Sequence, residues 1–184
     1  MTVSRGVASI LLSVLGVAIL LGVIFLVASL LGSNAPVKPI IIDSIELRKA
    51  QDPVQKARLI SELDDLITQS KNNDLKEQWD RMTQCLGTSC PDEAYLDLVL
   101  VTVSVYEKEL PESPLLINII AVAKYWGDQD HLLDFSKALA AASDQIDLLK
   151  NKNVRKTWEQ VVSCNNTCPE KNDLFFELIL AIVQ

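Results

Sequence analysis

The sequence predicts an all-α protein: an N-terminal transmembrane helix followed by a helical domain of two tandem four-helix units. Three observations lead there. Gly6 to Leu31 is an apolar run of 26 residues without a charge. The remainder is rich in Leu, Ile, Ala, Lys, Asp and Glu and poor in aromatics, a mixture that favours helices over sheets. That remainder also matches itself when shifted by 79 residues.

The apolar run is long enough to cross a bilayer core with some tilt. A cleaved signal peptide has a shorter apolar region, roughly 7 to 15 residues. The one candidate cleavage pattern, Ser33-Asn34-Ala35, would leave Pro36 at the new N-terminus. An uncleaved anchor over residues 1–32 is therefore expected, with the lipid bilayer as partner through residues 6–31. Charge does not orient it, because Arg5 and the terminal amine on one side face Lys38, Arg48 and Lys49 on the other. Residues 33–39 read as a linker, since Pro36 and Pro39 stop the membrane helix from simply continuing.

The repeat organises the rest. The 79-residue shift lays Leu75 on Val154, Trp79 on Trp158, Met82 on Val161 and Cys85 on Cys164. Cys90 and Cys168 align after one deletion, each followed by a proline and an acid. Upstream the match is weaker; Asp52 and Asp128 can be aligned ahead of Leu59 with Phe135 and Leu63 with Leu139. The units are expected at 40–110 and 111–184.

Within the first unit a short helix is expected over Ile41–Ala50. Asp52-Pro53 reads as a cap with proline in the first turn, opening a helix to about Ser70. Leu75, Trp79, Met82 and Leu86 fall on one face of a third helix from Asp74. The fourth, from Pro91 to near Lys108, has strand-like β-branched residues over Leu98 to Val105. Its partner, Phe175 to Val183, lacks alternation, so one structure for both copies is a buried helix. Ser113-Pro114 opens the second unit.

Cys85-x4-Cys90 and Cys164-x3-Cys168 fall in the loops between third and fourth helices. A disulfide inside each loop needs no meeting of the two units and fits an oxidising compartment. The rival is one zinc ion held by all four thiolates, which requires the loops to meet. Disulfides are favoured, so a single-pass protein with an extracytoplasmic C-terminal domain is expected. A redox dithiol usually has two residues between its cysteines, unlike either pair. The sequon Asn165-Asn166-Thr167 lies inside the second loop.

Beyond residue 33 the chain carries 16 basic and 24 acidic groups, all its acids and all but one of its bases. That balance, without a basic cluster, argues against nucleic acid. His131, the only histidine, follows Asp128-Gln129-Asp130 and reads as a solvated residue near a helix start whose two aspartates serve as caps. Glu62, Asp64 and Asp65 form an acidic cluster that would attract a cation only weakly. No phosphate loop, Gly-x-Ser-x-Gly element or His-Glu-x-x-His motif occurs. No catalytic residue, metal or cofactor is assigned, and an enzyme is not expected.

Trp79 and Trp158 are expected in the core. Trp126, beside Tyr125, falls opposite Ala50, so the common scaffold does not demand it; Tyr125 and Trp126 are candidate interface residues. The reading is a membrane-anchored, non-catalytic interaction module whose partners are other membrane or extracytoplasmic proteins. The alternatives are a ligand-binding or sensory domain with an apolar cavity between the units and, below it, a thiol-redox protein.

Overall fold

The computed structural model describes residues 36–164 and 171–184. The anchor expected over residues 1–32 lies outside the described residues, as do Cys168 and the sequon at Asn165. The described residues form eight α-helices and no strand. No described helix is long and apolar enough to cross a membrane.

In chain order the helices are α1 (Val37–Lys49), α2 (Pro53–Ser70), α3 (Asn73–Thr83), α4 (Asp92–Val105), α5 (Ser113–Tyr125), α6 (Leu132–Leu148), α7 (Lys152–Ser163) and α8 (Lys171–Val183). Short polar side chains set several starts. Asp52 accepts hydrogen bonds from the Val54 and Gln55 amides, with Pro53 in the first turn, where its missing N–H costs nothing. Asn72 and Asn151 cap α3 and α7, accepting from the Leu75 amide and from the Asn153 and Val154 amides. α1 starts at Val37, inside the expected linker, because Pro39 falls in a first turn whose amides have no intrahelical partner. α4 is a helix throughout, despite its β-branched run.

The helices divide by which of them touch. α1, α4, α5 and α8 form a closed inner ring, α1 on α4, α4 on α5, α5 on α8 and α8 on α1. The pairs α2–α3 and α6–α7 pack outside it, α2 on α1 and α3 on α4, α6 on α5 and α7 on α8. A ring helix has neighbours on several sides: α8 buries Phe175, Phe176, Leu178, Ile179, Ile182 and Val183. An outer helix touches protein along one stripe, as α3 does through Leu75, Trp79 and Met82. All of these residues join one continuous hydrophobic core that also runs between residues 40–110 and 111–184. The few buried hydroxyls are satisfied locally, Ser44 by the Ile40 carbonyl and Thr102 by the Leu98 carbonyl.

Buried positions keep a common spacing across the two halves. Leu75, Trp79 and Met82 of α3 correspond at 79 residues to Val154, Trp158 and Val161 of α7. Tyr95, Leu96, Leu98, Val99, Thr102 and Val103 of α4 correspond at 80 residues to the six buried positions of α8. The weak upstream alignment needs correction. The buried stripe of α2 is Leu59, Leu63 and Ile67, and that of α6 is Ala138, Ala142 and Ile146, again 79 apart. Pairing Leu59 with Phe135 and Leu63 with Leu139 is thus off by nearly one turn; large apolar side chains beside the stripe had imitated it.

The ring also sorts the chain into two ends. Lys38 near the start of α1 donates to the Val183 carbonyl at the finish of α8, while Arg48 near the finish of α1 bonds Asp173 at the start of α8. Lys124 near the finish of α5 pairs with Asp97 in the first half of α4. α1 and α5 therefore run one way, α4 and α8 the other. One end holds the Cys85–Cys90 loop, the starts of α4 and α8, and the starts of α2 and α6. The other holds Pro36, the finish of α8, and the α2–α3, α4–α5 and α6–α7 connections. A 13-residue helix such as α1 separates them by about 20 Å.

Candidate functional site

At the disulfide end, the finish of α1, the start of α2 and the loop before α4 surround an open cleft of about 420 Å³. The loop owes its shape to Cys85 and Cys90, which form a disulfide with Cα atoms 4.9 Å apart. The Lys56 ammonium donates to the Leu86 carbonyl at 3.1 Å, tying α2 to the same loop. Cys164, at the corresponding point after α7, is also in a disulfide. Its expected partner, Cys168, lies outside the described residues. Among the described residues no group of histidines, cysteines and carboxylates is arranged to hold a metal ion.

Arg48 lies beneath the cleft and joins three helices. Its Nε and Nη2 bond the two Asp92 oxygens at 2.5 and 3.1 Å, a bidentate pair, and Nη1 reaches Asp173 Oδ1 at 2.6 Å. The guanidinium lies 4.4 Å from the centre of the Phe176 ring, and Asn172 Nδ2 donates to Asp92 Oδ2 at 2.7 Å. The hydrogen bonds from Arg48 hold the Asp92 carboxyl below its usual range, against a smaller opposing effect of burial, with Asn172 adding to the lowering. Asp92 and Asp173 sit in the first turns of α4 and α8, where negative charge is favoured, and Arg48 in the last turn of α1, where positive charge is favoured. The cleft's strongest charges are thus spent on one another. No motif signals this set, whose members are 44 and 125 residues apart in the chain.

The second candidate region follows α5 at the same end. Gly127 has φ of 81°, a left-handed turn that an L side chain strains to adopt. Trp126 is half-buried, edge-on to Phe135 with ring centres 5.4 Å apart and to Phe175 at 5.9 Å, and the Lys171 ammonium lies 5.7 Å from its ring. Burial pushes the Lys171 amine below its ordinary value. Tyr125 stacks on His131 at 4.7 Å. His131 Nδ1 is 2.7 Å from Asp128 Oδ2, and Asp128 also accepts from the Asp130 amide. The His131 contact holds the Asp128 carboxyl below its usual range. Asp128 therefore closes a turn and does not cap α6, whose first residues follow His131. The two expected interface residues fall in one corner, Trp126 toward the core and Tyr125 against His131.

The acidic cluster divides between two faces of α2. Glu62 pairs with Arg58, one turn earlier. Asp64 instead accepts the indole N–H of the buried Trp79 at 2.9 Å, which links α2 to α3. No family model matches the chain, and neither does any curated protein or solved structure.

Proposed function

We propose that the protein is a membrane-anchored, non-catalytic interaction module, held by residues 6–31 with its helical domain outside the cytoplasm and engaging other proteins through the disulfide end. One observation carries this reading: the cleft, the Cys85–Cys90 loop, Trp126 and most of the exposed large apolar side chains gather at the end of the ring opposite Pro36. Val54, Leu132 and Leu133 stand 76 %, 60 % and 67 % exposed there. Pro36 is where the described domain joins the preceding chain, so the disulfide end lies away from that junction. The mutual commitment of Arg48, Asp92 and Asp173 also supports a binding role over a catalytic one.

We further infer that the two helix quartets are copies of one unit that share the inner ring. Common buried positions at offsets of 79 and 80 residues, and asparagine caps at Asn72 and Asn151, support this. The sharing also weakens the alternative of a ligand cavity between the units. Phe175, Phe176, Leu116 and Ile120, on helices of that junction, are fully buried.

A photoreactive residue in place of Leu133 in the full chain, compared with one in place of Gln69 at the Pro36 end, tests the reading. The expected result is crosslinking in the native membrane to one defined protein from Leu133 only, abolished by Leu132→Asp. Equal labelling from both positions would count against it.

A further inference from the structure

The cleft at the disulfide end has a counterpart that is filled. Ala50 and Trp126 cap α1 and α5, two helices of 13 residues, and share one backbone conformation, φ −67° and ψ 119° against φ −65° and ψ 113°. Trp126 packs edge-on to Phe135 and Phe175, and the three rings form a plug. At the offsets that relate the buried positions of α6 to α2 and of α8 to α4, Phe135 corresponds to Lys56 and Phe175 to Tyr95. Ala50, Lys56 and Tyr95 all line the cleft of about 420 Å³. The first half is thus open where the second is closed by aromatic rings, and an ammonium and a phenol stand where two of those rings do.

What the cleft offers a ligand is hydrogen-bond donors. Tyr95 is only 5 % exposed, and its hydroxyl makes no hydrogen bond among the described residues. Burial pushes the phenol above its ordinary value, with Arg48 opposing and Asp92 adding, so at neutral pH it keeps its proton to donate. The Lys56 ammonium gives one N–H to the Leu86 carbonyl and has two more. Lys49 and Ser89, both exposed, add a further charge and a hydroxyl. The acids of the cleft are engaged: Asp92 accepts from Arg48 through both oxygens and from Asn172, and Asp173 accepts from Arg48. A largely buried hydroxyl without a partner costs free energy that an acceptor would recover.

We propose that the cleft is a binding site for a carboxylate group, held by the Tyr95 hydroxyl and the Lys56 ammonium in the space that Trp126 fills in the second half. A carboxylate accepts several hydrogen bonds at once, and Lys56 supplies the charge that strengthens them. Asp173, whose side chain is 55 % exposed at the same cleft, opposes a second negative charge, so a monocarboxylate is the fit. The chain as a whole is acidic, so long-range attraction of anions is absent and recognition rests on these local donors. Two sources supply such a group, a free small acid and the C-terminus of a protein partner, and the test separates them. The site depends neither on the anchor nor on the outcome of crosslinking at Leu133.

The test titrates the full chain, in detergent micelles, with propionate while the amide signals of Thr88, Ser89 and Cys90 are followed by NMR. Saturable shifts with a Kd of roughly 1–10 mM are expected, and none with propionamide or with sodium chloride at the same concentration. Tyr95→Phe, which removes only the hydroxyl, should weaken binding about tenfold. Ala50→Trp, which places a ring where the second half has Trp126, should abolish it. Urea unfolding establishes that each variant is folded, and if Ala50→Trp is not, Tyr95→Phe decides alone. An acetylated trialanine peptide that binds more tightly than propionate, with its C-terminal amide silent, assigns the site to a partner's terminus; equal or weaker binding assigns it to a small acid. Absence of saturable shifts overturns the proposal. So do shifts of equal size with chloride or propionamide, and so does an unchanged affinity in folded Tyr95→Phe.

Discussion

The α2–α3 and α6–α7 hairpins occupy the same place in each half, yet they fill it with different side chains. The inward stripe of α2 is Leu59, Leu63 and Ile67, and that of α6 is Ala138, Ala142 and Ile146. The missing bulk is found outside the stripe. Phe135 lies one turn before Ala138, and Trp126, opposite Ala50 in the repeat, wedges between Phe135 and Phe175. Buried positions agree between the halves while their volumes differ, and in the second half bulk lies beside the stripe.

The sharpest way to break the comparison is to exchange the stripes. Leu63→Ala should destabilise the domain by about 3 kcal/mol, the usual cost of a leucine-sized cavity. Ala142→Leu should cost about 1–3 kcal/mol through overpacking. Urea unfolding of each variant measures both. Equal, small effects would mean that the stripes are not close-packed.

Arg48 offers the next test, since it bonds Asp92 in its own half and Asp173 in the other. Arg48→Met should cost about 2–3 kcal/mol, because it leaves Asp92 half-buried without its guanidinium. The associated pH dependence has a definite sign. The folded carboxyl of Asp92 is depressed, so its stabilisation is fully present above the unfolded value of about 3.9 and is lost as pH falls through the folded value. Asp92→Asn should flatten the acid limb of the stability curve, which thermal unfolding between neutral and strongly acid pH would reveal.

The paired loops come third. Cys85→Ser with Cys90→Ser should lower stability by about 2 kcal/mol in the chain-entropy model for so short a loop. The measurement is again chemical unfolding, with intact mass under thiol-blocking conditions to count bonds. The smallest expected effect belongs to exposed pairs confined to one helix. Lys76→Ala removes the link to Asp80 and should cost only about 0.3–0.5 kcal/mol, falling further in salt. A large loss there would contradict the division between outer faces and the ring.

The helices and the disulfide loop were readable from sequence because their signals are local. A proline follows Asp52, Leu75, Trp79 and Met82 recur at helical spacing, and Cys85 and Cys90 are five apart. The repeat also turned an ambiguous β-branched run into α4. Its weak point was α2, where alanine replaces leucine on the α6 stripe and Phe135 and Leu139 offer a false match. Arg48 was invisible for a different reason: its partners depend on which helices meet at one end of the ring. The long apolar runs of α4, α5 and α8 mark three ring helices, but neither the membership of α1 nor the order of neighbours can be read from them.

That order has a consequence for the time course of synthesis. α8 is the last of the eight described helices to be made, yet it supplies the wall between α1 and α5. Until it emerges, the sides of α1 and α5 that pack on α8 lack their cover. Earlier segments are able to collapse locally as they appear, but the ring is completed only when residues 171–183 arrive. Assembly of the core is therefore deferred until residues 171–183 have been made. A chain lacking those residues would present an open apolar seam along the ring.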